Sequence, residues 1–443
     1  MIVEHREPER VSPDDGGHYF VGYYDKQPWS ADGSRLLAHR AAFCDRFPAP
    51  DDPCELGFIE LGTGRFRRVA TTHAWNWQQG AQLQWLVHDG DERLLFNDRA
   101  EDGSIISRVV DPGGAEHARF PMGVCAVDAG GSFALTLDFA RLTRLRPEYG
   151  YPGLADAFAT DPNPSGSGID RLDLATGRTR PLASIRDFAD HDGLAGEIPD
   201  QHLNHLMLNP SGTRACVLHR FDRDDGITAT RLFTFDARDG SDRRLLLSGM
   251  ASHFDWRDDA TILAWAGRRA LLGSGTERPG PRQRAVSAAR RTLKPIYYAM
   301  GKPRILMNRI MKDAYMLLPD REDAPAEPFA SGELTCDGHC TFFRAAGADD
   351  PPRWVVTDGY PDLKGRQPLF VWDAREDRGY EIGRFRTPRA LDADIRVDLH
   401  PRWSRDGRSV CIDSAMSGSR AIYRVDVSAL AGAPTGAESG GEA

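Results

Sequence analysis

The sequence predicts an all-β chain folded as a seven-bladed β-propeller of four-stranded antiparallel blades. First, a polar turn between two short apolar runs recurs seven times, most clearly as Ser30-Ala31-Asp32-Gly33, Asn209-Pro210-Ser211-Gly212 and Ser404-Arg405-Asp406-Gly407. Second, another kind of turn recurs between these, as in Glu60-Leu61-Gly62-Thr63-Gly64 and Asp173-Leu174-Ala175-Thr176-Gly177. Two hairpins per unit make a four-stranded sheet, and sheets repeated at this spacing are propeller blades. Third, 443 residues suit a closed array of seven such units folded as one domain.

In chain order the blades are expected at 17–70, 73–119, 121–184, 202–247, 253–318, 333–383 and 394–427. Strand-favouring residues are densest in the last, at Ser409-Val410-Cys411-Ile412 and Ala421-Ile422-Tyr423-Arg424-Val425. A blade buries its faces only against its neighbours, so the ring has to close. Residues 2–5 are expected to supply the outermost strand of the last blade. The single domain then covers 1–428, and 429–443, rich in Gly, Ala, Ser and Glu, reads as a disordered tail.

A net charge of −9 argues against nucleic-acid binding and against a membrane-surface role for the chain as a whole. The charge is uneven, because 268–312 carries twelve Arg or Lys and one acid, Glu277. Within it Val286, Leu293, Tyr297 and Met300 recur at helical spacing, with Pro295 and Pro303 as kinks. This predicts a basic, partly helical insertion in blade five. It would serve as a lid or dimer element packed on the ring, or touch an anionic membrane or an acidic substrate. The seven cysteines are odd in number and scattered, poor material for a disulfide framework. With no basic-then-apolar leader and no run long enough to span a bilayer, a reducing cytoplasm is the expected location.

The long insertions, 41–53, 141–166, 268–312 and 358–367, all fall between the second and third strands of a blade. They therefore emerge on one face of the ring, and long loops gathered on a rigid face usually carry function. That face also receives the start of each innermost strand and the end of each second strand. The starts carry His18 with Tyr23, Tyr24, Asp25 and Lys26; Gln78, Gln79 and Gln82; His202, Asn204 and His205; His253 and Asp255; Asp337 and His339; Asp398 and His400. The ends carry His39, Asn97 with Asp98, Asp138, His219 with Arg220, Asp358 and Asp413. Eight of the thirteen histidines fall in these two sets. Converging imidazoles and carboxylates suit a divalent metal such as Mn²⁺ or Fe²⁺, although water-filled propeller channels are also lined by polar side chains. Cys336 and Cys340 flank His339, but without a second Cys or His pair their spacing is weak evidence for zinc.

The stretches His205-Leu206-Met207-Leu208-Asn209-Pro210-Ser211-Gly212 through Val217-Leu218-His219, Ser252-His253-Phe254-Asp255-Trp256, and His400-Pro401-Arg402-Trp403-Ser404-Arg405-Asp406-Gly407 resemble oligogalacturonate lyases. Those are seven-bladed propellers of the TolB-like type, largely cytoplasmic, that break short pectic oligosaccharides with a bound manganese. The likeness covers mainly blades four, five and seven. It implies that His253 and His400 are metal ligands and His219 a catalytic-site histidine. The family has a second His two residues before the His-Pro of its last blade, and a Gln three residues earlier still. Here those positions hold Asp398 and Ile395, so Gln79, Gln82 or His339 completes the shell, or the metal site and its substrate have been reworked.

β-Elimination at a uronate needs its carboxylate neutralised, a base for the adjacent C–H proton and an acid for the leaving oxygen. The expected catalytic residues are His219, His205, Arg220 and Tyr24; the expected substrate-binding residues are Lys26, Gln79, Gln82 and Arg402; and the expected metal ligands are His253, His339, Asp398 and His400. Trp75, Trp77, Trp85, Tyr23 and Tyr24 could stack on sugar rings or fill blade cores. Two other functions fit the same face. One is a carbohydrate- or protein-binding scaffold linked to cell-surface polysaccharide production. The other is a glycoside hydrolase using a carboxylate pair drawn from Asp98, Asp138, Asp358 and Asp413.

Overall fold

A computed structural model of the chain describes residues 1–88, 90–192, 200–222, 228–267, 313–330, 332–345 and 351–431. The predicted basic helical segment at 268–312 and residues 432–443 of the predicted tail lie outside the described residues. Strands dominate the regular structure of the described residues and are arranged in repeated four-stranded antiparallel patterns.

The first sheet runs His18–Phe20, Arg35–Ala41, Cys54–Glu60, Arg65–Thr72. The second runs Gln84–His88, Asp91–Arg99, Ile105–Val110, Glu116–Phe120, and the third Ala126–Val127, Phe133–Leu137, Gly168–Asp173, Thr179–Ser184. A seven-stranded sheet follows, from Gln201–Leu208 to Glu327–Pro328. Its middle strand, Arg244–Asp258, does double duty. Residues 244–249 pair with Thr228–Asp236, and 250–258 pair with Thr261–Gly267. The break expected between 247 and 253 is thus one continuous strand.

The N-terminal residues correct an expectation. Ile2–Val3 does not extend the last sheet, Arg402–Trp403, Ser409–Ser414 and Ala421–Asp426; it pairs in parallel with Tyr380 and Glu381 of the sheet before it, Thr341–Phe342, Trp354–Asp358, Arg366–Asp373 and Arg378–Arg386. Glu9–Arg10 takes the predicted place, antiparallel to Tyr423 and Arg424. The N-terminal strap is therefore stitched to two consecutive sheets.

The turns explain their own sequence. Ser30 Oγ donates to Asp32 Oδ1 at 2.6 Å and Ser404 Oγ to Asp406 Oδ1 at 2.6 Å, closing each loop on itself. The glycine that follows sits at φ +70° in Gly33 and +69° in Gly407, the left-handed region that a side chain resists.

Second strands such as Phe133–Leu137, Trp354–Asp358 and Ser409–Ser414 are buried almost throughout, whereas the outer strand Arg65–Thr72 is largely wetted. Burial on both faces means each sheet is packed between two others. Apolar clusters join consecutive sheets, and one joins the last to the first: Cys411 and Ile422 pack with Tyr19, Val21 and Leu36. Hydrogen bonds reinforce that seam, with Tyr19 N–H donating to Arg420 O at 2.9 Å and Val21 N–H to Asp413 Oδ1 at 2.9 Å. The array returns on itself, which brings the ends of distant strands to a common centre.

Candidate metal and substrate site

His339, Asp398 and His400, all buried, each present one donor atom, and the three donors lie within 4.8 Å of one another. His339 lies two residues before the short strand Thr341–Phe342, and the other two precede Arg402–Trp403, so neighbouring sheets supply the group. The rings of His253 and His339 are 3.9 Å apart, and those of His339 and His400 4.2 Å apart. All four expected metal ligands are thus brought together.

Carboxylates orient two of these rings. His339 Nδ1 is 3.0 Å from each oxygen of Asp358, and His253 Nδ1 is 2.9 Å from Asp337 Oδ1. A carboxylate only accepts, so each Nδ1 carries a proton, which leaves each Nε2 as the ring atom that could ligate a metal. This carboxylate–histidine arrangement is the one that supports a metal-ligating imidazole. Asp358 Oδ2 also accepts the backbone N–H of His400 at 3.1 Å. His400 Nε2 is buried with no hydrogen-bond partner, an atom whose isolation a bound cation would end. Burial, then His339 and Arg402, hold the His400 ring neutral by depressing its pKa well below the usual value. Burial opposes ionisation of Asp398, yet Arg396 and the neighbouring histidines hold its carboxyl below the usual range. Two or three imidazoles and one carboxylate are a donor set that fits a divalent transition metal.

His253 and Arg396, which touch His339 and Asp398, line a cavity of about 240 Å³ together with Arg146, Tyr149, His205, Arg220, Tyr360 and Asp392. Arg220 is buried, donates from Nη2 to Ala251 O at 3.2 Å, and leaves Nε without a partner. Burial and the nearby Arg146 depress its pKa. His205 stacks 5.8 Å from His253, and Tyr23 Oη lies 3.1 Å from its Nδ1 and also touches Nε2. Burial, then Arg220 and His253, keep His205 neutral. The backbone is strained at this centre: His205 has φ +53°, His400 +44° and Gln82 +55°. Non-glycine residues hold such angles only where the surroundings enforce them, and they gather at functional sites.

Other expected site residues are placed elsewhere. His219 is fully buried, faces Gln201 Oε1 at 2.6 Å from Nε2, and packs against Phe221 and Phe233, away from the cavity lining. The Tyr24 hydroxyl is spent on the backbone, donating to Phe254 O at 2.9 Å and accepting from Phe254 N–H at 3.0 Å. Lys26 Nζ is consumed by Asp25 and by Cys125 O, each at 2.7 Å. Arg402 pins two sheets together through Tyr23 O at 3.1 Å, Gly22 O and Asp413. Gln79 and Gln82 bond to each other at 2.9 Å beside a small closed void under Tyr23 and His205. Trp75, Trp77 and Trp85 are core residues whose indole N–H groups donate to the carbonyls of Asp52, Arg46 and Pro28 at 2.8 Å.

The four carboxylates weighed for hydrolysis are likewise engaged. Asp98 accepts from Thr72, His73 and Arg108; Asp138 caps the helix Phe139–Leu145 and accepts from Ser167; Asp358 holds His339 and His400; Asp413 holds Val21, Gly22 and Arg402. All seven cysteines are free, and none belongs to the metal-donor group found among the described residues.

Sequence reasoning overlooked Arg146, Tyr149, Tyr360 and Arg396. The first three lie in the insertions 141–166 and 358–367, so the loop-bearing face was the signal that contained them.

No protein-family model matches the sequence, and no curated protein sequence matches it. Solved structures do. An oligogalacturonate lyase in complex with manganese aligns over 96% of this chain and 98% of its own, at 15% identity and a TM-score of 0.57. An oligogalacturonate lyase from Vibrio parahaemolyticus aligns over 96% and 97%, at 13% identity and a TM-score of 0.57. At such identities the likeness shows the fold, and it agrees with the resemblance read from the sequence.

Proposed function

We propose that this protein is a lyase that cleaves uronate-containing oligosaccharides by metal-assisted β-elimination, on the loop-bearing face of a seven-bladed propeller. Counting the seven-stranded sheet as two units hinged at Arg244–Asp258 gives seven units, and the Cys411–Tyr19 seam supports their closure into a ring.

The observation that carries the function is the adjacency, through His253 and Arg396, of the His339, Asp398, His400 donors to a cavity lined by three guanidinium groups and one carboxylate, Asp392. The metal would be held by those three residues with His253 beside them, and manganese is proposed because the solved lyase of this fold holds it. A dication bound there would neutralise a substrate carboxylate and so acidify the adjacent C–H. Arg220, buried and without an acidic partner among the described residues, is placed to take a substrate carboxylate in a charge-assisted pair. His205, neutral and facing the cavity, accepts the C5 proton as the C4–O bond breaks and the C4=C5 double bond forms. Tyr23 Oη, against the His205 ring, supplies the proton to the leaving oxygen. Burial holds the Tyr23 hydroxyl well above its ordinary pKa, so it stays protonated at neutral pH. We place the enzyme in the cytoplasm with an acidic oligosaccharide as its partner.

Incubation with oligogalacturonates and Mn²⁺, followed by ultraviolet absorbance and product mass, tests the proposal. Elimination yields a conjugated product one water lighter than the hydrolytic one. Failure to form any unsaturated product from a panel of uronate oligosaccharides would overturn it.

A further inference from the structure

Arg396 introduces a feature that a plain metal pocket lacks. Its turn, Ala393–Ile395, is fixed from beneath by Arg420, a buried cation whose guanidinium donates to the carbonyls of Ile395 and, at 3.3 Å, Arg396, and lies 4.0 Å over the Trp77 ring. From this anchored turn the Arg396 side chain runs along the cavity. Nε donates to Asp398 Oδ2 at 2.7 Å, while Nη2 makes only long contacts, 3.2 Å to Gln78 Oε1 and 3.4 Å to Tyr149 Oη. Its one short tie is to Asp398, which is also the sole carboxylate of the metal-donor group.

We propose that Arg396 competes with the metal for Asp398, and that an acidic sugar in the cavity relieves this competition, so that metal and acidic ligand bind with positive coupling. The inference rests on the lyase reading above. Of the three donors Asp398 alone is a carboxylate, and Arg396 already pairs with it. Both groups are largely withdrawn from water, the carboxylate 2% and the guanidinium side chain 21% exposed, so solvent does little to screen the repulsion between guanidinium and metal. Arg396 also lines the cavity beside Arg146 and Arg220. A ligand carboxylate arriving there offers its guanidinium a second anion, and the long contacts of Nη2 do little to hold it back. Asp398 is then released to the metal. Linkage makes the effect reciprocal: metal must tighten acidic ligand by the same factor.

Calorimetric titration of the full chain with Mn²⁺, alone and in saturating D-galacturonate or neutral D-galactose, tests this without any variant. Galacturonate should tighten Mn²⁺ roughly tenfold, within the usual span of such couplings, and galactose should not. Arg396→Gln should bind Mn²⁺ roughly tenfold more tightly than the wild type without sugar and gain less from galacturonate than the wild type does. Arg396→Lys, which keeps the charge, should stay near the wild type. A residue that merely positions the site would give the opposite sign, with Arg396→Gln binding more weakly, and that result would overturn the proposal. Equal Mn²⁺ affinity in all proteins and sugars would overturn the coupling and leave the lyase reading standing. Absence of Mn²⁺ binding in every form would overturn both.

Discussion

Asp358 grips His339 at both ends: its Oδ1 accepts the backbone N–H at 2.7 Å, and the ring Nδ1 lies 3.0 Å from each carboxylate oxygen. The same side chain accepts the backbone N–H of His400. One carboxylate thus holds two of the three candidate metal donors, His339 by ring and backbone and His400 by its backbone. Asp358→Asn keeps the shape, removes the charge and no longer dictates the His339 tautomer. Mn²⁺ affinity measured by calorimetry should fall about 10- to 100-fold while circular dichroism stays unchanged.

Two adjacent tyrosines should separate chemistry from structure. Tyr23 Oη bonds the His205 ring, whereas Tyr24 Oη is closed into the Phe254 backbone. Tyr23→Phe should lower kcat on oligogalacturonate about 100-fold or more with little change in melting temperature. Tyr24→Phe should cost about 1–3 kcal/mol of stability in urea unfolding, because a buried N–H and a buried carbonyl each lose a partner.

Stability should depend on pH through two buried imidazoles. Burial lowers the pKa of His39 and of His219 from 6.5 to about 3. Between those values the unfolded chain binds more protons than the folded one, so the full stability is present above about pH 6.5 and is lost as pH falls toward 3. Urea midpoints measured across that window should decline, and His219→Gln should flatten the slope.

Arg402 and Asp413 form a buried pair at 3.3 Å that also holds the backbone of Gly22 and Tyr23. Arg402→Met leaves the Asp413 carboxylate without its cation across the first and last sheets. Urea unfolding should show a loss of about 3–5 kcal/mol. A far smaller loss would mean that this seam does not depend on the pair.

What the sequence revealed follows from the range of the interactions involved. The Ser-x-Asp-Gly turns were legible because Ser30, Asp32 and Gly33 close the loop among themselves. The histidine convergence was legible because strand ends fall at fixed offsets from those turns. The terminal strands were not. Nothing local to Ile2–Val3 records that the chain lies first along Tyr380 and only then along Tyr423. Polar side chains were hardest to assign. Arg402, Lys26 and Tyr24 sit near the centre, but whether a head group faces the cavity or a neighbouring carbonyl depends on packing across sheets. Arg396 escaped notice because its meaning lies in Asp398, Tyr149 and Gln78 together, the last of these 318 residues away.

Elemental analysis of the purified chain after equilibration with Mn²⁺ and removal of free metal, alongside His339→Ala and His400→Ala, tests the central claim most directly. The account predicts about one manganese per chain in the wild type and none in either variant, with all three proteins folded by circular dichroism. A wild-type chain that retains no metal, or variants that retain as much as the wild type, would contradict it.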